Sequence, residues 1–118
     1  MHNLHVLETK SSEDLRREIE KIGADPGVVD NIPANGILRL VKVERAKIAL
    51  ARFLFQELAM EGGVAVMKPR MWHWEEGETD VLLIGTHVQL QHLVVRLATQ
   101  PDEEIAYLAQ ELDRTLGS

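Results

Sequence analysis

The sequence predicts an α/β fold: a single compact domain with a small mixed sheet of about four or five strands and three or four helices. Two observations lead to this prediction. A chain of 118 residues with 45% hydrophobic residues can build one core, so a second domain is not expected. Short apolar runs typical of strands also alternate along the chain with amphipathic segments typical of helices.

The first strand and the first helix are predicted near the N-terminus. Residues 4–8, "LHVLE", form a short apolar run with partial alternation, which favours a strand. Residues 11–23, "SSEDLRREIEKIG", place Leu15, Ile19 and Ile22 on one helical face, and a serine at the start can cap the helix. Gly23 provides a left-handed end. The following residues 24–36 are rich in proline and glycine and are interpreted as a connection.

The middle of the chain predicts a buried strand followed by the longest helix. Residues 37–45, "ILRLVKVER", carry apolar side chains on both faces, as in a strand that is covered on two sides. Residues 46–63 then show a broad apolar helical stripe that ends at two glycines. The stripe consists of Ala46, Ala49, Leu50, Phe53, Leu54 and Leu58.

The second half predicts two more strands and two more helices. The runs "VAVM" (64–67) and "TDVLLIGT" (79–86) favour strands, and the second is apolar enough to be buried. Thr86 and Gln89 have the spacing of a capping box at the start of a helix. A last helix is predicted with Pro101 in its first turn and acidic residues at its N-terminus.

Composition excludes several classes of function. The formal charge of -6 opposes binding to nucleic acid or to an anionic membrane. The chain has no cysteine, so disulfides, thiolate nucleophiles and cysteine zinc sites are excluded. The N-terminus resembles no signal peptide and no run is long enough to span a membrane, which predicts a cytoplasmic protein. No cofactor motif is present.

The stretch 67–80, "MKPRMWHWEEGETD", holds both tryptophans of the chain. In an extended segment Trp72 and Trp74 point to the same side, which suggests an aromatic edge. We interpret Met71, Trp72 and Trp74 as an interface in a homo-oligomer or with a protein partner. Packing against the core and stacking on a flat ligand are the alternatives, although the acidic residues beside the tryptophans repel phosphate.

Metal binding and catalysis are not predicted. His87 and His92 are five residues apart, about 140° around a helix, and cannot easily hold one ion. His73 and Glu75 could supply two ligands, but the sequence provides no others. No serine lies in a nucleophile elbow, and the acidic pairs fall at helix starts and turns, where solvated charges are common.

The turn from "VLLIG" into the following helix is the candidate ligand site. A buried strand that passes through Gly85 into a helix N-terminus directs backbone N–H groups toward one point, where anions bind in α/β folds. Gly85, Thr86 and His87 are therefore the predicted anion-binding residues. Thr86 has a second explanation as the helix cap.

An ordered set of motifs resembles the N-terminal extension that precedes the barrel in some bacterial and archaeal dihydropteroate synthases. The likeness runs from about Leu15 onward through "LRREIEKIGADPGVV", "RLVKVERAKIALARFLFQELAMEGGVAVMK" and "ETDVLLIGTHVQLQHLVVRLATQP". The positions that carry it are Lys42, Glu44, Gln56, Glu57, Gly62, Gly63, Thr79, Asp80, Gly85, Thr86, Gln89 and Pro101. The stretch "PRMWHWEEGE" departs from the pattern, because the family has a shorter and less aromatic connection there.

The resemblance implies a noncatalytic module. The synthase chemistry belongs to a barrel of roughly 250 residues, which this chain cannot contain, so no catalytic residue is carried over. The leading hypothesis is an interaction or oligomerisation module whose partner is a second copy or a separate pterin-binding barrel. Two rivals remain: a small-ligand or anion sensor at the Gly85 turn, and an enzyme with a site shared between subunits.

Overall fold

The chain folds into four strands and four helices. The computed structural model describes residues 3–7, 12–25, 27, 38–68 and 76–117. The elements in chain order are β1 (Asn3–Leu7), α1 (Ser12–Ile22), β2 (Leu38–Lys47), α2 (Ile48–Met60), β3 (Val64–Val66), β4 (Glu78–Thr86), α3 (His87–Ala98) and α4 (Glu103–Leu116). The predicted α/β class is confirmed, and the numbers of strands and helices fall within the predicted ranges.

The sheet has the order β1-β2-β4-β3, and its three strand pairings are all antiparallel. The prediction of a mixed sheet is wrong in this respect. Strands β2 and β3 run in the same direction and are joined through α2, as in a parallel crossover. They are not neighbours, however, because β4 lies between them and pairs antiparallel with both. The crossover therefore contributes no parallel hydrogen bonds to the described sheet.

The two central strands are buried on both faces, as their continuous apolar sequences predict. On one face, side chains such as Val41, Val43 and Leu83 pack beneath α2, α3 and α4. On the other face, Leu40 and Leu82 pack against α1. All five side chains are at most 1% exposed. The central pair β2–β4 thus contributes to both cores of the domain.

Helix α1 covers one end of the second face with the three residues that the sequence predicts. Leu15, Ile19 and Ile22 are 5%, 0% and 3% exposed. They form one cluster with Leu40, Leu82, Ile84 and Val66 of the sheet. Through this cluster the 11 residues of α1 pack on β2, β3 and β4.

The boundary between β2 and α2 differs from the prediction. Ala46 and Lys47 were expected in the helix but are the last residues of β2, where they pair with Thr79 and Glu78. Ala49 is exposed and Phe53 is partly buried, whereas Ile48 and Ala51 are buried. The buried stripe is therefore displaced around the helix from the predicted one. Pairing with β4 satisfies the backbone groups of Ala46 and Lys47, and this long-range partner is not visible in the local sequence.

The starts of the last two helices follow their capping residues. Thr86 and Gln89 form the predicted capping box of α3. The Asp102 side chain accepts a hydrogen bond of 3.1 Å from the Ile105 N–H and caps α4. Asp102 is therefore the N-cap, so Pro101 precedes it and lies outside the helix rather than in its first turn. Within the described ranges, no helix has the length and apolar character needed to cross a membrane.

Gly63 joins α2 to β3 at a point of close approach. A Cβ added there would lie 2.6 Å from Leu58 Cδ1 and 3.0 Å from the Ile84 carbonyl oxygen. We predict that Gly63→Ala lowers the free energy of unfolding by about 1–3 kcal/mol through overpacking. Chemical denaturation measures the change, with Ala59→Ser on the exposed side of α2 as the control. Unchanged stability of Gly63→Ala would show that β3 shifts to accommodate the methyl group.

Candidate functional site

Two backbone N–H groups at the predicted anion-binding turn already donate hydrogen bonds to side chains of this protein. The Thr86 N–H donates to Gln89 Oε1 at 3.0 Å, and the Gln89 N–H donates to Thr86 Oγ1 at 3.2 Å. Gly85 is buried, and a Cβ added there would lie 3.1 Å from Gln89 Oε1. The second explanation of Thr86, as a helix cap, is confirmed. Anion binding at Gly85, Thr86 and His87 stays a prediction.

Arg39 of β2 links this turn to the end of the last helix. Its Nη1 donates to the Leu116 carbonyl oxygen at 2.8 Å and lies 2.7 Å from His87 Nδ1. A guanidinium has only donors, so Nδ1 of His87 accepts in this contact. Leu116 is the last residue of α4, where a carbonyl has no partner within the helix and where a positive charge is favourable. Arg39 and His87 thus hold the two ends of the α3–α4 hairpin against the sheet.

The predicted aromatic interface lies outside the described residues. This applies to Met71, Trp72 and Trp74, and also to His73 and Glu75. In the part of the chain that the structure describes, no group of three or more His, Cys, Asp or Glu side chains could hold a metal ion. His87 and His92 contact different partners, Arg39 and Glu61, which agrees with their predicted separation around the helix.

A β-bulge interrupts the central strand pair. Val43 pairs with Val81 and Ala46 pairs with Thr79, so Glu44 and Arg45 together oppose Asp80. Arg45 has a φ of 55°, and it is the one non-glycine residue with a positive φ among those described. Its N–H donates to Asp80 Oδ1 at 3.0 Å. Such a backbone conformation costs a non-glycine residue on the order of 1–2 kcal/mol, and such residues cluster at functional sites.

A polar cavity of about 310 Å³ lies beside this bulge, on the face of the sheet that α1 covers in part. Its lining comes from the end of α1, the bulge of β2, the residues after β3 and the start of β4. These residues are Lys21, Ile22, Arg45, Lys68, Glu78, Thr79 and Asp80. We call this cavity the bulge pocket. Its volume falls at the lower end of the range for small-molecule sites.

The charges of the bulge pocket differ from those of the whole chain. Among the described lining residues, Lys21, Arg45 and Lys68 bring three positive charges against the two negative charges of Glu78 and Asp80, a balance of +1. The chain as a whole has a charge of -6. Cations that converge against an opposite overall charge favour a local attraction for anions.

Lys68 is held in place by the end of α1. A Cβ added at Gly23 would lie 3.0 Å from Lys68 Cε and 3.2 Å from its Cγ, so the aliphatic stem passes directly over this glycine. Gly23 also has a φ of 89°, which ends the helix in the left-handed region. A cation near a helix C-terminus is electrostatically favourable. Gly23 therefore both ends α1 and makes room for Lys68.

A network of charged side chains joins α2 to α3 on the other face of the sheet. Glu61 accepts hydrogen bonds from Arg96 Nε at 2.5 Å and from His92 Nδ1 at 2.8 Å. Arg96 Nη1 also lies 3.7 Å from Glu57 Oε1. Hydrogen bonds from Arg96 and from His92 lower the pKa of Glu61 below its ordinary value of 4.5. The same contact with Glu61 raises the pKa of Arg96.

The two edges of the sheet differ in character. Edge strand β3 has three residues and is followed in the sequence by Met67, Lys68 and Pro69. A short length, lysine and proline all discourage another strand from pairing at an edge. Edge strand β1 has five residues, "NLHVL", without Asp, Glu, Lys, Arg or Pro. Its Leu4 and Val6 are partly buried against the core beneath the helices.

Sequence reasoning missed the bulge pocket and the α2–α3 network. The pattern of residues 37–45 predicts an inner strand, but the bulge depends on the register between β2 and β4, which the local sequence does not show. Glu61 and His92 are 31 residues apart, and no local pattern connects them. The cluster of charges in "VKVER" at the end of an apolar run was the one signal that pointed to an interruption.

Comparisons with known proteins add no assignment: no protein-family model, no curated protein and no solved structure matches the chain. The resemblance to the dihydropteroate synthase extension therefore stays a prediction.

The capping box gives a direct test of the role of Thr86. We predict that Thr86→Ala lowers the free energy of unfolding by about 1 kcal/mol, because the Gln89 N–H loses its acceptor. Thr86→Ser keeps the hydroxyl group and is expected to retain most of that stability. Urea denaturation compares the two variants with the wild type. Equal stability of Thr86→Ala and Thr86→Ser would contradict the capping role.

The Glu61 contacts predict a dependence of stability on pH. A carboxyl group whose pKa is lower in the folded state stabilises the fold above its unfolded pKa, and the contribution is lost as the pH falls through the folded pKa. The stability advantage of the wild type over Glu61→Gln should therefore be complete above about pH 5 and should be lost as the pH falls through the lowered pKa of the folded Glu61 carboxyl group. Thermal unfolding from pH 3 to pH 7 measures it, with Glu20→Gln on α1 as the control. A constant difference across this range would argue against the Glu61 contacts.

Proposed function

We propose that this protein is a noncatalytic module that associates with a second copy of itself through the edge strand β1. The observation that carries the proposal is the contrast between the two edges of the sheet. Strand β3 carries the features by which natural proteins prevent edge pairing, and β1 lacks them over its five residues. An edge strand of uncharged residues is suited to pairing with another strand.

A second copy fits this edge by symmetry. Two β1 strands that meet antiparallel around a twofold axis present the same row of backbone donors and acceptors to each other. The four-stranded sheets would then join into one continuous antiparallel sheet. Leu4 and Val6 are only partly buried in one copy, so additional apolar contact is available on the helix side of the joint.

The expected association is weak. Stable interfaces bury about 1,200–2,000 Å² in total, whereas pairing of two five-residue strands buries less. We therefore place the association in the transient class, with a dissociation constant in the micromolar range or weaker, on the order of 10⁻⁶–10⁻⁴ M. A separate pterin-binding barrel, suggested by the family resemblance, is a second candidate partner for the same edge.

The register of β1 provides a substitution that separates pairing from folding. His5 lies at the centre of β1 and opposite Lys42 of β2. His5→Glu introduces a carboxylate at the register position opposite Lys42, and opposite charges at directly opposed positions are favourable. In the paired sheet the two new carboxylates lie close together near the twofold axis and repel each other.

We predict that His5→Glu weakens self-association about tenfold, or about 1.4 kcal/mol, without a loss of monomer stability. Sedimentation velocity across a concentration series measures the association, and thermal unfolding measures the stability. His5→Gln is the uncharged control and should associate like the wild type.

An alternative interface is the exposed surface of α3, where Val88 and Val95 are 56% and 62% exposed. Val88→Lys with Val95→Lys should leave the association unchanged. If this double variant abolishes association while His5→Glu has no effect, β1 is not the contact. A wild-type protein that stays monomeric at millimolar concentration rules out the self-association.

A further inference from the structure

We propose that the bulge pocket binds a small phosphate monoester that carries hydroxyl groups, with the size and chemistry of a sugar phosphate. This inference does not rest on the proposed self-association. The bulge pocket lies beside α1 and the β2–β4 bulge, whereas the proposed contact is the edge of β1.

The conformation of Arg45 is the first argument. Glycine adopts a φ of 55° without steric cost, so an arginine in this position is unfavourable for the backbone alone. The Arg45 N–H bond to Asp80 holds the bulge, but a glycine N–H could donate the same bond. What arginine adds is its guanidinium at the wall of the bulge pocket, a group that binds phosphate through two parallel hydrogen bonds.

The convergence of cations is the second argument. Arg45 comes from β2, Lys21 from α1 and Lys68 from the residues after β3, and the fold brings them to one cavity. Lys21 is also 3.1 Å from Glu18 in an exposed pair on α1, which a dianion can outcompete because such pairs are weak. Lys68 is positioned by its stem over Gly23. A phosphate group with close to two negative charges matches this set better than a monoanion does.

Glu78 and Asp80 are the third argument, because their carboxylates can accept hydrogen bonds from the hydroxyl groups of the ligand. Glu78 and Asp80 line the same cavity and would repel a ligand made of phosphate alone. Asp80 uses Oδ1 for the Arg45 N–H, and its second oxygen and the Glu78 carboxylate are acceptors for hydroxyl groups. A cavity of about 310 Å³ has room for a small sugar ring beside the phosphate. Cations for the phosphate and carboxylates for the hydroxyls together specify a sugar phosphate.

Arg45→Gly provides an informative test because structural and binding roles predict opposite results. Replacement by glycine relieves the backbone strain, so the melting temperature should stay the same or rise. Loss of the guanidinium should weaken binding of ribose 5-phosphate at least tenfold. Isothermal titration calorimetry of the full chain at low salt measures the affinity, because salt screens these partly exposed charges.

Matched variants and ligand fragments complete the experiment. Lys68→Met keeps the stem over Gly23 and removes the charge, and it should weaken binding at least fivefold. Arg114→Gln removes one positive charge from an exposed position on α4 and should change the affinity less than twofold. Inorganic phosphate and ribose, titrated separately, should each bind at least tenfold more weakly than ribose 5-phosphate.

Several results would overturn the proposal. One is the absence of saturable binding of ribose 5-phosphate up to about 10 mM, the weak limit for a specific small-ligand site. Another is unchanged affinity in Arg45→Gly. Equal affinity for inorganic phosphate would remove the sugar from the proposal. Backbone amide NMR shifts confined to Gly85, Thr86 and His87 would place the anion at the α3 N-terminus instead of the bulge pocket.

Discussion

The antiparallel pairing of β2 with β4 is the interaction on which the rest of the domain depends. Both strands are covered on both faces, and their side chains belong to two separate cores. The outer strands β1 and β3 each pair with one of them, while α2 and α3 begin directly at their ends. Removal of this pair would leave each helix without the apolar surface that it covers.

The central pair is interrupted at one point, and a polar cavity lies beside the interruption. The register is regular on both sides of the bulge. At the bulge itself, Glu44 and Arg45 together oppose a single residue, Asp80. A bulge redirects side chains that would otherwise continue the alternation of the strand. Here it allows Arg45 to line a polar cavity together with Lys68. Departures from local consistency of this kind are expected at functional positions.

The two faces of the sheet differ in how many described helices cover them. The helices α2, α3 and α4 cover one face and are tied together by side-chain contacts such as Glu61 with Arg96 and Arg39 with Leu116. On the other face, α1 alone packs against the sheet among the described elements and leaves room for the bulge pocket. The larger apolar cluster lies beneath the helix layer, and the proposed ligand chemistry lies on the less covered face.

Local sequence patterns were enough to predict most of the helices and strands, because apolar periodicity and capping residues act within one or two turns of chain. The buried stripe of α1, the apolar strand before Gly85 and the Thr86–Gln89 cap all followed from local patterns. Three features depend on long-range packing: the position of β4 between β2 and β3, the register that creates the bulge, and the contact between Glu61 and His92. Each of these joins residues that are distant in the chain, and the choice of such partners depends on how all the layers pack together.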